Sequence, residues 1–295
     1  MNLSPKAAPT NPSPIQGFDH PVIAVRDMEG SRRAYERMGF TVPPRGSHLE
    51  WGTGNWCIMF PNDYLELRGI VDGSRYTHNL DQFLSIREGL MGMAFSSNAK
   101  AEDIVTFLNG QGLHPNPPRE LTRDFELPSG NVQPRFRLVF FNQAETDGLM
   151  ASLVCQHLTP ELIRQPAFLR HANGATQILG LTSVVGNLTR TEEVVCKYFG
   201  AERVTRRNGT VEASAGRGGK LAFVDEATAE RQGVALRGVP VPYLSEVILK
   251  TQSLAQANDA MRQGSIPFDA TTGRIRVSPD QACGTWLTFV EKHDD

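Results

Sequence analysis

Arg119, Arg123, Arg135 and Arg137 fall in one stretch of β-like sequence. Alternate residues of a strand share a face, so Arg135 goes with Arg137, and Arg119 with Arg123 if that segment stays extended. Turned inward, a guanidinium grips a carboxylate or phosphate through two parallel hydrogen bonds. Turned outward, it is ordinary solvated charge. Arg123 is the inward candidate. His48, just before Trp51 and Gly52, is the candidate for proton transfer, because imidazole changes charge near neutral pH. The alternative is a solvated strand histidine. His171-Ala-Asn-Gly174 either folds over a cavity mouth or forms a plain turn. Nothing in the sequence around His78, His114 or His293 recommends them. Cys57, Cys155, Cys196 and Cys283 are far apart with no CxxC pair, which argues against a disulfide framework or a structural zinc knot. Cys155 reads as inert packing. Trp51, Trp56, Phe60, Tyr64, Phe140 and Phe141 supply either a pocket wall or ordinary core.

An internal repeat positions these residues. Four times the chain gives a β-like run, an amphipathic helix, a glycine turn and further β-like runs. The opening runs are His20–Val25, Leu90–Phe95, Ile178–Val185 and Ser245–Lys250. The helical stretches are Met28–Met38, Ala101–Gln111, Thr189–Tyr198 and Leu254–Gln263, with Ile104, Phe107 and Leu108 on one face. Asp27, Asn98 and Asn187 stand where helix caps belong. Each unit reads as βαβββ, which cannot cover its own sheet, so units should pair. The expected organisation is a Pro-rich flexible tail over 1–16 and an N-terminal domain over 17–160, with modules 17–74 and 89–158. A linker over 161–176 leads to a C-terminal domain over 177–295, with modules 177–225 and 243–291. The linker before the second module spans 75–88.

The 295 residues suit about two domains. Lys+Arg is 30 and Asp+Glu is 32, a net charge of −2 that disfavours nucleic acid as a partner. No run approaches the roughly 18 apolar residues of a membrane span, and residues 1–14 lack a secretory core, so a cytoplasmic protein is expected. Arg217-Gly218-Gly219 is a hairpin turn with no helix behind it, so no nucleotide cofactor is expected.

Phe18-Asp-His-Pro-Val-Ile-Ala-Val-Arg-Asp27, Met38-Gly-Phe40, His48-Leu-Glu-Trp-Gly-Thr-Gly-Asn55, Tyr64-Leu-Glu-Leu67 and Cys155-Gln-His157 resemble the glyoxalase-like branch of the vicinal-oxygen-chelate superfamily. The resemblance spans about residues 17–290 and is most specific in 17–70. It implies an α+β fold: four βαβββ modules paired into two domains, with curved mixed sheets around a cavity. It also implies a divalent metal (Fe, Mn, Zn, Ni or Co) held by the first and last strands of paired modules. His20 and Glu66 take those positions in module one and Gln156 in module two, with His48 a further ligand. His157, at the strand end, would bend in beside His48 as an acid–base residue. Arg123, Trp51, Asn55, Tyr64 and His171 would contact substrate. Module two offers Met91 and Met93 in place of a histidine, and the C-terminal half offers no ligand set.

Two functions follow. One is a metal-dependent enzyme acting on a small oxygenated, anionic or aromatic molecule by isomerase, lyase or dioxygenase chemistry, with the metal as Lewis acid. The other is a metal-free small-molecule binding protein of the bleomycin-resistance type. In either case the partner is a small molecule, with no nucleic acid or membrane, and pairing of modules between chains makes a homodimer an expected assembly.

Overall fold

The computed structural model describes residues 12–234 and 238–291. The first module is β1 (Gly17–Ala24), α1 (Met28–Arg37), β2 (Gly46–His48), β3 (Thr53–Met59) and β4 (Tyr64–Ile70). After α2 (Leu80–Ile86), the second is β5 (Gly89–Ser96), α3 (Ala101–Gly110), β6 (Arg119–Leu127), β7 (Gly130–Val132), β8 (Arg135–Phe140) and β9 (Ala151–His157). The third is β10 (Ala175–Val184), α4 (Leu188–Phe199), β11 (Val204–Arg207), β12 (Thr210–Gly216) and β13 (Gly219–Val224). After α5 (Glu226–Arg231), the fourth is β14 (Tyr243–Thr251), α6 (Leu254–Gln263), β15 (Asp269–Thr271), β16 (Arg274–Val277) and β17 (Trp286–Glu291). Asp27 caps α1 and Asn187 caps α4, each side chain accepting a backbone N–H of the first turn, as the sequence predicts. Asn98 caps nothing; the cap residue of α3 is Lys100.

The modules pair as expected of this α+β fold. In the N-terminal half the strand order is β2-β3-β4-β1-β5-β9-β8-β6-β7, and β2 also pairs with β6, which closes the sheet into a barrel. The modules meet where β1 runs antiparallel to β5, while β1–β4 and β5–β9 are parallel. Closure happens at Gly46, which faces both Asn55 and Phe125. A Cβ there would lie 2.3 Å from Arg123 Nη1 and from Asn55 Oδ1, so only glycine lets the strands close over an inward arginine. The C-terminal sheet, β11-β12-β13-β10-β14-β17-β16-β15, stays open.

Alternation sorts β4. Leu65 and Leu67 are fully buried against the outer core, each stabilising the fold by roughly 2 kcal/mol. Tyr64, Glu66 and Arg68 face the barrel interior. The core is continuous across the two halves: Phe95 meets Phe199 edge-on at 5.3 Å, and Phe40 stacks on Phe289 at 5.9 Å.

Two expectations need correction. Residues 12–16 of the expected flexible tail are packed: Ile15 is buried and Ser13 Oγ donates to Tyr198 O at 2.7 Å; residues 1–11 lie outside the described residues, as does His293. The connection between β2 and β3 spans residues 49–52, and Thr53 and Asn55 already pair in β3. The linker over 75–88 carries α2, whose Leu80 and Leu84 are buried beside Ala24.

Candidate functional site

The pairing of β1 with β5 shifts register between Phe18 and His20. A bulge of this kind lets Asp19 and His20, adjacent in the chain, both engage the barrel interior, which a regular strand forbids. Asp19 Oδ2 accepts from His20 Nδ1 at 2.7 Å, and Oδ1 accepts from His157 Nε2 at 2.8 Å. On its other side His20 Nε2 lies 3.3 Å from Glu66 Oε2, and Tyr64 stacks on the ring at 4.4 Å. Arg68, two residues beyond Glu66 on the same face, holds its carboxylate at both oxygens (Nε–Oε1 2.9 Å, Nη2–Oε2 2.7 Å). Asn55 Nδ2 donates to Oε1 at 2.6 Å. Asn55 Oδ1 in turn accepts from Arg123 Nη1 at 2.6 Å, and that nitrogen also donates to Cys57 Sγ at 3.3 Å. A continuous polar chain therefore runs through the barrel from His157 to Cys57.

Burial opposes ionisation of Asp19 and Glu66, but their partners outweigh it. His157 and then His20 hold the Asp19 carboxyl well below its ordinary value. Arg68 and then His20 do the same for Glu66. His48 donates Nδ1–H to Thr53, at 2.8 Å from Oγ1 and 3.1 Å from O, which leaves the lone pair on Nε2. Burial, with Arg68 and Arg123 nearby, pushes its pKa down to about 3, so the ring is neutral. Arg123 is 3% exposed, and its hydrogen-bond partners among the described residues, Asn55 and Cys57, are neutral; burial pushes the Cys57 thiol up to about 11. Arg68 takes the Glu66 carboxylate, and the other buried carboxylate of the barrel, Asp19, is engaged by His20 and His157. Arg123 itself touches no carboxylate among the described residues, and buried charges are ordinarily paired.

At the family's metal position His20, His48 and Glu66 come to one cavity, but Glu66 is already taken. Both Glu66 oxygens are engaged by Arg68, Asn55 and His20, and Arg68 puts a fixed positive charge beside them. The β5 residue beside His20 is Ala94; Met91 and Met93 line an outer chamber. Gln156 is corrected outright: Cys155 lines the barrel cavity, so alternation turns Gln156 to the opposite face. His157 faces inward in regular strand geometry, with no bend needed. It forms a different group with Asp19 and Cys155, whose donor atoms all lie within 4.8 Å of one another. Carboxylate, thiol and imidazole are a donor set that suits a borderline divalent ion such as zinc.

The inner cavity, of about 40 Å³, is lined by His20, His48, Trp51, Asn55, Tyr64, Glu66 and Arg123, so these seven candidates converge. His171 does not join them. It accepts Thr41 N–H at Nδ1 (3.0 Å), donates from Nε2 to Met59 O (2.9 Å) and sits between Phe40 and Phe60, pinning the linker. Arg135 and Arg137 face outward and pair with Glu120 and Glu102.

Sequence reasoning missed Asp19, Arg68 and His78. Arg68 was legible, since an inward Glu66 turns Arg68 inward too. Asp19 was not, because the bulge that admits it leaves no local signal. His78 stacks on Trp51 at 4.5 Å and lines the outer chamber, of about 380 Å³. The segment 71–79 that carries it packs on Gly52, where a Cβ would lie 2.0 Å from Asp72 O.

A family model described as glyoxalase-like domain matches residues 18–199. Among solved structures, a hypothetical protein from Staphylococcus aureus aligns over 93% of this chain and 99% of its own, at 14% identity and a TM-score of 0.68. Homoprotocatechuate 2,3-dioxygenase from Arthrobacter globiformis aligns over 96% and 82%, at 14% identity and 0.56. A variant of 4-hydroxymandelate synthase from Streptomyces coelicolor aligns over 96% and 94%, at 9% identity and 0.57. No curated protein matches the chain. At these identities the solved structures speak for the fold alone. The family match covers more than half of the sequence and includes the whole barrel, and on that ground the chain belongs to the glyoxalase-like domain family.

Proposed function

We propose that the barrel binds a small anionic, oxygenated molecule and moves a proton on it, in chemistry of the isomerase or lyase class. The observation that carries this reading is Arg123, a buried guanidinium with neutral partners inside the cavity that holds His48. Arg123 and Arg68 would receive the anion and stabilise charge that builds on its oxygens. His48 presents an unprotonated Nε2 held in one tautomer by Thr53. Its base strength is coupled to binding. Arg68 and Arg123 help to hold its pKa down, so an anion that neutralises them raises it toward its ordinary value.

Thermal unfolding with small hydroxy and keto acids and with inorganic phosphate tests the anion site. A ligand at about 100 times its Kd stabilises by about 2.7 kcal/mol. Arg123→Met should abolish that shift. His48→Ala should keep it but lose exchange of the ligand's α-hydrogen with deuterated solvent. Shifts of equal size in the parent and in Arg123→Met would sink the reading.

A second reading rests on Asp19, Cys155 and His157. These residues would hold a divalent ion, which supplies Lewis-acid polarisation of a substrate oxygen when bound. His20, bonded to Asp19, would orient that carboxylate. Elemental analysis decides: about one equivalent of metal, lost in His157→Ala and kept in Glu66→Gln, is the expected pattern under this reading.

A further inference from the structure

The inner cavity, at about 40 Å³, has room for little more than one charged group of a ligand, whereas the outer chamber has about 380 Å³. The two share Trp51, Arg68 and Phe140 as walls, so one ligand can reach from the first into the second. The outer chamber is built around an aromatic stack. His78 lies flat on Trp51, with centroids 4.5 Å apart and planes 11° apart. Phe140 leans on His78 at 5.3 Å, and Tyr76, 60% exposed, meets its edge at 6.0 Å. His78 is held in a left-handed conformation at φ 55°, and the next residue, Asn79, at φ 62°. Strained non-glycine backbone of this kind persists where a ligand clamp or switch is over-determined by its surroundings. Arg119, which also lines the chamber, has no ion-pair partner among the described residues.

From this geometry we infer that the outer chamber is a subsite for a planar aromatic ring, and that the ligand is an aryl carboxylate with its anionic end at Arg68 and Arg123 and its ring against Trp51 and His78. The inference deepens the anion-site reading and rests on it. Aromatic walls at Trp51, His78 and Phe140 favour a flat π-system over a saturated ring of the same size, because edge and offset ring contacts add to the area buried. At physiological pH His78 is neutral, its pKa pushed down to about 4 by burial and by Arg68 and Arg119, so it is an uncharged aromatic wall and not a competing cation.

Calorimetric titration of the full chain with benzoate, cyclohexanecarboxylate and acetate tests this. Benzoate and cyclohexanecarboxylate match in charge and nearly in size. Benzoate should bind about three- to tenfold tighter. That preference should fall to near unity in His78→Ala, with acetate affinity unchanged, and should fall likewise in Trp51→Leu. Saturation transfer between the benzoate ring and the Trp51 and His78 protons should appear in the unmodified protein, which guards against variants that fold poorly. Equal affinity for the two ring acids, with acetate binding still lost in Arg123→Met, would overturn the aryl subsite and leave the anion site standing. No binding of any of the three acids would remove both.

Discussion

Glu66→Gln separates the two ways of reading the barrel's central carboxylate. If Glu66 is chiefly the partner of a guanidinium, removing its charge leaves Arg68 and Arg123 buried with no carboxylate in the cavity. Glu66 is 1% exposed and accepts from Arg68 at 2.7 and 2.9 Å and from Asn55 at 2.6 Å. Breaking a buried pair by removing one member costs about 3–5 kcal/mol. The glutamine oxygen keeps one acceptor position, worth about 1 kcal/mol. The expected net loss is therefore about 2–4 kcal/mol, or roughly 5–15 °C in Tm for a unit of this size. The assay is thermal or urea unfolding of chelator-treated parent and variant. The pH dependence has a definite sign. The folded carboxyl sits well below its unfolded value near 4.5, so its contribution is fully present above pH 5 and fades as pH falls through the folded value. The gap between parent and variant should thus be widest at neutral pH and narrow in acid. A carboxylate kept free for a cation would give the opposite result, since neutralising it would relieve repulsion. A Glu66→Gln protein as stable as the parent, or more so, at pH 7 would refute the ion-pair argument.

Asp63 carries a second pH effect, of opposite sign. It accepts Ile178 N–H at 3.1 Å between the two halves, and burial pushes its pKa up to about 8. Folding therefore retains a proton that the unfolded chain releases near pH 4, so stability falls as pH rises from about 4 to about 8. Asp63→Asn should remove that slope and stabilise the protein by several degrees at pH 8, read from unfolding across that range; a slope unchanged by the substitution would exclude Asp63 as its source. His171→Ala loses the bonds to Thr41 and Met59, at about 1–3 kcal/mol in all. Urea unfolding should show that loss while carboxylate affinity stays at the parent value.

The fold was largely written in the sequence. Hydrophobic periodicity of 2 and 3.6 marks all four modules, and these periods are local properties that survive any arrangement of the elements. Parts of the site were legible in the same way. Tyr64-Leu-Glu-Leu-Arg68 alternates, so choosing Glu66 as inward also chooses Tyr64 and Arg68. For Arg123 the spacing left inward and outward open, because alternation says which residues share a face and not which face meets the core.

What the sequence could not hold was distance between elements. Barrel closure through β2 and β6 brings Arg123 to Asn55, 68 positions away in the chain, and no local pattern encodes that approach. The register shift between Phe18 and His20 brings Asp19 to His157, 138 positions away, on the strand where the family resemblance pointed to Gln156. His171 and His78 show the same limit. Each sits in a loop without periodicity, so only the packed neighbours decide that one pins a linker and the other stacks at a cavity mouth. Residue type and spacing determined which chemistry was on offer. Strand register and barrel closure decided which groups meet, because those depend on hydrogen bonds between segments that local sequence does not relate.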